Sequence, residues 1–453
     1  MFAEWLPIIM FVSLALFIFS GLPVAVVLGG VSLVFAGIGL AMGEIRFVHL
    51  PLLINRIFSG IVANPVMVAV PMFVVMGTLL EKSGIAEDLL DGLQTLMRRV
   101  PGGLALSVTL MGTILAASTG IIGASIAMLT LLALPMMLRN NYAPSLATGT
   151  IAASGTLGIL IPPSIMLVIM GDLLTISVGK LFMAALVPGL ILSGLYLVYI
   201  VTISFMRPKL APRASTPLTD DEKRALARKL ASGFIPPALL IGLVLGSILG
   251  GWATPTEAAG VGALGALALA LFRRRLSLPG LNQVLGRSLT TVSMIFFIFV
   301  GATAFSYLFR RFGGEELVLS LIDTGVLGPW SILGILMLMV FVMGFFFDWI
   351  EITLIVLPIF APIVQLLDFG DHVASVDTVY WFAILIAINL QTSFLTPPFG
   401  FALFYTKGTA RDLVTIGDIY RGIVPFVLLQ LIALALVLEF PNLALWLPNR
   451  LFN

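Results

Sequence analysis

Two Pro-Pro pairs, Pro162-Pro163 and Pro397-Pro398, interrupt long apolar runs 235 residues apart. Proline has no amide hydrogen and its ring clashes with the preceding turn. A helix carrying two in a row therefore unwinds locally and leaves carbonyls without intrahelical partners. At membrane depth such backbone is tolerated only where protein or a water-filled cavity satisfies it. Matched interruptions in two halves of a chain mark a secondary transporter with its site between the halves. The surroundings are membranous, since 60% of the 453 residues are hydrophobic and 10% charged, with a mean hydropathy of +1.14. Soluble domains carry roughly 25% charged residues.

Other chemistries are excluded or demoted. The chain has no cysteine, so disulfides, thiolate metal sites and a cysteine nucleophile are ruled out. No phosphate-binding G-x-x-x-x-G-K-[ST] loop occurs, so the chain is not its own ATP motor. Gly260, Gly262 and Gly265 satisfy G-x-G-x-x-G but lie within an apolar span, and are expected to serve packing. Gly242, Gly246 and Gly250 form a second small-residue stripe with the same expectation. His49 and His372 are isolated, and no transition-metal set is expected. The start MFAEWLPIIM lacks a basic n-region and is expected to be a retained span.

Crossing a bilayer takes roughly 17 to 25 apolar residues. Spans are expected near 5–20, 22–43, 61–80, 145–170 and 178–205, then near 234–252, 256–272, 286–309, 379–406 and 420–440. Residues 103–138 and 326–368 are too long for single helices. Each is broken by polar or glycine-rich residues and reads as a re-entrant hairpin. The basic stretch 206–232 is expected to be a cytoplasmic linker by the positive-inside rule, which puts both termini outside. It divides the chain into a first repeat, 1–205, and a second, 233–453.

The halves follow one order: scaffold spans, an amphipathic segment, a hairpin, a Pro-Pro-broken helix and a last span. Pro188 pairs with Pro425 much as Pro162 pairs with Pro397. Because the halves begin on opposite sides, the expected fold is an all-α polytopic membrane protein of two inverted-topology repeats. Amphipathic segments 81–100 and 310–323 read either as helices lying on the membrane or as arms joining a static scaffold to a moving unit. Leu89, Leu90, Leu93, Leu96 and Met97 form the apolar face of the first.

Chemistry-bearing residues cluster at the breaks. Segment 117–125 (ASTGIIGAS) combines Gly120 and Gly123, for a tight reversal, with the hydroxyls of Ser118, Thr119 and Ser125, which suit a hard monovalent cation. A half-helix beginning near Gly123 would offer free N–H groups to an anion. Segment 154–164 brings Ser154, Gly155, Thr156 and Gly158 up to Pro162, Pro163 and Ser164. Its counterpart holds Asn389, Gln391, Thr392, Ser393 and Thr396 before Pro397 and Pro398. Segment 344–353 places Asp348 and Glu351 between Gly344 and Thr353. These acids could stabilise the hairpin by bonding backbone N–H groups, bind a cation, or accept a proton. Glu257, after Thr254, is expected to open a capped helix.

At these segments the chain resembles the large membrane subunit of tripartite ATP-independent periplasmic (TRAP) transporters, the DctM-like family. The resemblance rests on TGIIGAS (119–125), LPMML (134–138), LATGTIAASGTLGILIPPS (146–164), DWIEIT (348–353), TPPFG (396–400) and VPG (187–189). It implies no enzyme, but an elevator-type, sodium-driven importer of small organic acids in a bacterial inner membrane. It further implies a small membrane partner of about four helices and a periplasmic binding protein, with Na+ as coupling ion and no other cofactor. The ions are then expected at Ser118, Thr119, Gly120, Gly123, Ser125, Ser154, Gly155, Thr156 and Gly158, and at Gly344, Asp348, Glu351, Thr353, Thr392 and Thr396. The solute is expected beside them at Ser125, Pro162, Pro163, Ser164, Asn389, Gln391, Ser393, Pro397 and Pro398. One departure is Ile121-Ile122, where many sialic acid or C4-dicarboxylate members carry a serine pair.

Overall fold

A computed structural model describes residues 2–119, 122–213, 220–314, 316–317, 328–397 and 400–452. All regular structure among them is helical. In order come α1 (Phe2–Ile18), α2 (Val24–Met42), α3 (His49–Ile57), α4 (Ala69–Lys82), α5 (Ile85–Met97), α6 (Gly103–Thr119) and α7 (Ile122–Arg139). Then follow α8 (Pro144–Thr156), α9 (Ile165–Leu173), α10 (Val178–Met206), α11 (Asp220–Leu249), α12 (Pro255–Phe272) and α13 (Leu278–Arg311). The chain closes with α14 (Pro329–Met343), α15 (Trp349–Gln365), α16 (Thr378–Leu395), α17 (Phe401–Ala410), α18 (Ile416–Glu439) and α19 (Asn442–Phe452). Nine helical stretches among the described residues are long and apolar enough to cross a bilayer. The protein is polytopic.

Two helices lie at the centre. Every residue of α8 from Leu146 to Thr156 is buried, and so is every residue of α16 from Trp381 to Leu395. A helix enclosed on all sides must satisfy its polar side chains within the protein. α6, α7 and α18 pack on α8, while α10, α14, α15 and α18 pack on α16. A second set is formed by α2, α4, α5, α11, α12 and α13. There Gly262 lies against Met76 and Val244, and Gly265 against Leu240. Two glycines of their shared motif thus serve packing, while no protein atom lies within 4 Å of where a Cβ of Gly260 would stand. Gly242 and Gly246 are likewise open, because no protein atom lies within 4 Å of where their Cβ would stand. That stripe faces away from the rest of this chain.

Several boundaries differ from the sequence reading. Residues 49–57 form α3, which hydropathy missed because the helix is mixed in polarity. The stretch 206–232 is not a linker throughout, since α11 begins at Asp220 and runs unbroken to Leu249. It docks on α5. Lys229 Nζ lies 3.3 Å from Asp91, and Gly233 rests against the Leu89 backbone. Arg273 joins the same face through a 2.7 Å ion pair with Asp88 and a bond to the Ser232 carbonyl. On α5 itself Leu89, Leu90 and Leu93 are buried, but Leu96 is exposed. Arg310 and Arg311 do not open a separate arm; they are the last residues of α13. Most of 312–323, and the start of the expected second hairpin at 326, lies outside the described residues. Thr254 caps α12 and forms a reciprocal box with Glu257. His372 Nε2 stands 2.8 Å from the Leu438 carbonyl and its ring sits among Trp330 and Trp381.

One polar clip ties α10, α16 and α19 together. Asp377 pairs with Lys180 at 3.1 Å, with side chains only 8% and 16% exposed, and accepts a 2.7 Å bond from Asn449. Removing one partner strands the other in a poorly solvated place, which costs about 3 kcal/mol for buried pairs. Asp377→Ala is expected to lower the thermal midpoint of the purified protein. The double variant with Lys180→Ala should lose less than the sum of the two single variants. Additive losses would show that the pair is not coupled.

Candidate functional site

The first break follows directly from its prolines. α8 tightens into a 3-10 turn at Leu157–Ile159, passes through the cis Pro162-Pro163 peptide, and resumes as α9 at Ile165. Pro162 and Pro163 supply no N–H, so the carbonyls of Gly158 and Ile159 have no helical donor four residues on. Ser164 Oγ compensates one of them with a 2.6 Å bond to the Ile159 carbonyl. Ser154 Oγ donates to Thr109 Oγ1 of α6 at 3.2 Å, and α6 approaches so closely at Gly112 that a Cβ there would stand 2.7 Å from that of Ser154. Gly155 is equally close to Ile126 of α7. The pair α6 and α7 thus embraces the break.

α16 ends at Leu395 and the chain restarts at Phe401. Asn389 Nδ2 donates to the Met337 carbonyl of α14 at 2.6 Å, and Gly344 lies so near Ser393 that any side chain at 344 would overlap its hydroxyl. Thr392, Ser393 and Thr396 donate their hydroxyls to carbonyls of their own helix. Their oxygen lone pairs remain able to accept or to coordinate. Asp348 caps α15, accepting from the Trp349 N–H at 2.8 Å, while Glu351 accepts from the Asp348 N–H at 3.1 Å. The two acids form a reciprocal capping box at the start of α15.

The breaks meet at one polar junction. Gln391 Nε2 reaches Thr156 Oγ1 at 3.4 Å, and both side chains are fully buried. Around it stand Tyr196 of α10 and Gln430 of α18, also fully buried. The Tyr196 hydroxyl faces Gln430 and Thr156 without closing a regular hydrogen bond to either. Gln391 Oε1, Thr353 Oγ1 and both amide atoms of Gln430 likewise lack partners among the described residues. Ser125 is buried near the start of α7. The ring of Tyr405 on α17 lies against Gly123 and within electrostatic reach of Asp348.

Among the expected site residues, Ser118 and Thr119 end α6, and Gly120 and Pro398 lie outside the described residues. Sequence inspection missed Thr109, Tyr196, Tyr405 and Gln430. For Gln430 the signal was present, an amide alone within FVLLQLIALALV. Tyrosines in an apolar chain carry no such mark.

Residues 11–443 match the family described as the tripartite ATP-independent periplasmic transporter, DctM component. The chain belongs to this family. Among relatives of the large permease, a C4-dicarboxylate TRAP transporter large permease protein DctM of Pseudomonas aeruginosa is 33% identical over 388 residues, covering 85% of this chain and 86% of that protein. A sialic acid TRAP transporter large permease protein SiaM of Vibrio cholerae is 29% identical over 437 residues, covering 93% and 97%. The Alcanivorax borkumensis YdaH transporter shares the fold, with a TM-score of 0.62 at 13% identity over 89% of both chains. The DctM relatives are permease subunits and not enzymes, and this chain is a TRAP large permease.

Tight approach at Gly344 sets a test of the second break. Gly344→Ala would overpack against Ser393, at a cost of about 1 to 3 kcal/mol, and should lower the thermal midpoint of this permease. Adding Ser393→Gly is expected to recover most of the loss. A midpoint unchanged in Gly344→Ala would contradict the contact.

Proposed function

We propose that this permease is the transport subunit of a sodium-driven TRAP importer of small organic acids, working by an elevator motion. The observation that carries this reading is the Thr156–Gln391 junction. Those residues are 235 positions apart, as are Pro162 and Pro397. Corresponding points of two repeats meet in this way only near an axis relating them. The packing is crosswise to match: α8 lies on α18, α16 on α10, and α10 on α18. This supports two inverted repeats, with α6 to α9 and α14 to α17 as the moving unit and α2, α4, α5 and α11 to α13 as scaffold.

Two cation sites are proposed within this frame, one between segment 118–125 and Ser154 to Gly158, the other among Gly344, Asp348, Glu351, Thr353, Thr392 and Thr396. The residues fit a hard cation. The hydroxyls of Thr392 and Thr396 donate within their own helix and keep lone pairs, Thr353 Oγ1 is buried without a partner among the described residues, and the Pro162-Pro163 pair strips the Gly158 carbonyl of its helical donor. The first turn of α7 carries no acid, unlike that of α15. A substrate carboxylate is therefore placed at the α7 end, beside Ser125, with Gln391, Asn389, Ser393 and the Pro162-Pro163 turn as the remaining wall. Relatives named for C4-dicarboxylate, sialic acid and 2,3-diketo-L-gulonate support an acidic substrate. A small membrane subunit and a periplasmic binding protein complete the proposed assembly. The TRAP permease relatives support placement in an inner membrane, and the basic residues near 207–229 support both termini outside.

Uptake should be measured in proteoliposomes holding this chain and its small subunit, with the binding protein outside. Transport is expected only with an inward sodium gradient, and unchanged uptake with potassium on both sides would refute sodium coupling. Uptake by the chain alone would refute the tripartite requirement. Asp348→Asn keeps most capping geometry and is expected to leave the pH profile of uptake in place, with a lower rate. A profile that flattens in this variant would shift the coupling to protons.

A further inference from the structure

α10 ends at Met206, beside the basic stretch, and begins at Val178, so Leu173 to Thr175 mark the opposite end of the bundle. At that end two cavities adjoin, sharing Arg56, Tyr307 and Arg310. The outer one, about 540 Å³, is bounded by α3 and the last turn of α13 and includes His49 and Arg311. The inner one, about 380 Å³, continues between α13 and α15, where Thr303, Ser306 and Gln365 add polar groups. Both volumes fall within the range of small-molecule sites, roughly 300 to 1,000 Å³. No Asp or Glu stands among the described residues lining either cavity.

The arginines are held in place. The Arg56 guanidinium lies 5.5 Å from the Tyr307 ring centroid, and Tyr307 donates to the His49 carbonyl at 3.2 Å. Arg311 Nη2 stands 2.6 Å from His49 Nε2. Arg310 reaches across to α15, where Pro362 has removed the helical donor of the Pro358 carbonyl. Arg310 Nη2 donates to that carbonyl instead. One arginine therefore links α13 to α15 at the cavity floor while Arg56 stays exposed at its mouth.

We propose that these joined cavities form a carboxylate-binding vestibule, in which Arg56 and Arg310 hold an organic anion before it reaches the breaks in α8 and α16. Guanidinium groups match a carboxylate in bidentate fashion, and Thr303, Ser306 and Gln365 suit hydroxyl or oxo groups on the same molecule. The inner recess, with Ser306 only 9% exposed, admits a small acid more readily than a side chain presented by a docked protein. The choice of ligand rests on the organic-acid reading above, whereas the site rests on the cavities and their charge.

The test uses the chain with its small subunit in nanodiscs of phosphatidylcholine. The thermal midpoint is followed with sodium acetate, pyruvate, succinate or gluconate against sodium chloride at equal ionic strength. At least one carboxylate is expected to raise the midpoint of the wild type. Arg56→Gln should weaken its apparent affinity about tenfold, in line with loss of one charge-assisted bond, and Arg56→Lys should keep part of it. In uptake assays Arg56→Gln should raise KM by a similar factor with Vmax little changed. The proposal is overturned if no carboxylate outperforms chloride, or if Arg56→Gln binds as tightly as wild type. It is also overturned if the rise comes only from phosphatidylglycerol in the disc, or if the variant loses only binding-protein affinity. In each of these cases sodium-dependent uptake by the wild type would still stand on its own.

Discussion

Backbone that loses its own hydrogen bonds cannot face lipid, and the four prolines at 162, 163, 397 and 398 impose that condition twice. Much of the observed packing answers to it. α8 and α16 are the most enclosed helices of the chain, the paired helices α6 and α7 close over the first break, and α14 and α15 close over the second. Small residues are what make such closeness feasible. Gly112, Gly155 and Gly344 stand where a methyl group would collide with the partner helix.

Polar side chains within this enclosure divide into those bonded within the protein and those that are not. Asp348 and Glu351 are engaged in capping α15, and Asn389 spans to α14. Among the described residues, Thr353, Gln391 and Gln430 retain buried atoms without partners. A stable interior rarely leaves such groups unmet.

Periodicity and proline placement made the all-helical class, the paired interruptions and most span boundaries legible from sequence. What escaped had physical reasons. α3 is too mixed in polarity to stand out, and α11 continues through charged residues because Asp91 and Asp88 on α5 lie beside its basic face and the adjoining end of α12. Gly242 and Gly246 have no neighbour in this chain where a Cβ would stand, since a small-residue stripe states what a surface can accept, not what lies upon it. At the site, single residues near the breaks were readable, while Tyr196, Tyr405 and Thr109 were not. They arrive from distant helices, and only the tertiary arrangement gives them meaning.

The shared hold of Asp377 on Lys180 and Asn449 has a practical side. α19, at the very end of the chain, is a working part of the frame around α16. A chain shortened before Asn449 would leave one oxygen of Asp377 without its amide donor and α10 and α16 with one strap fewer.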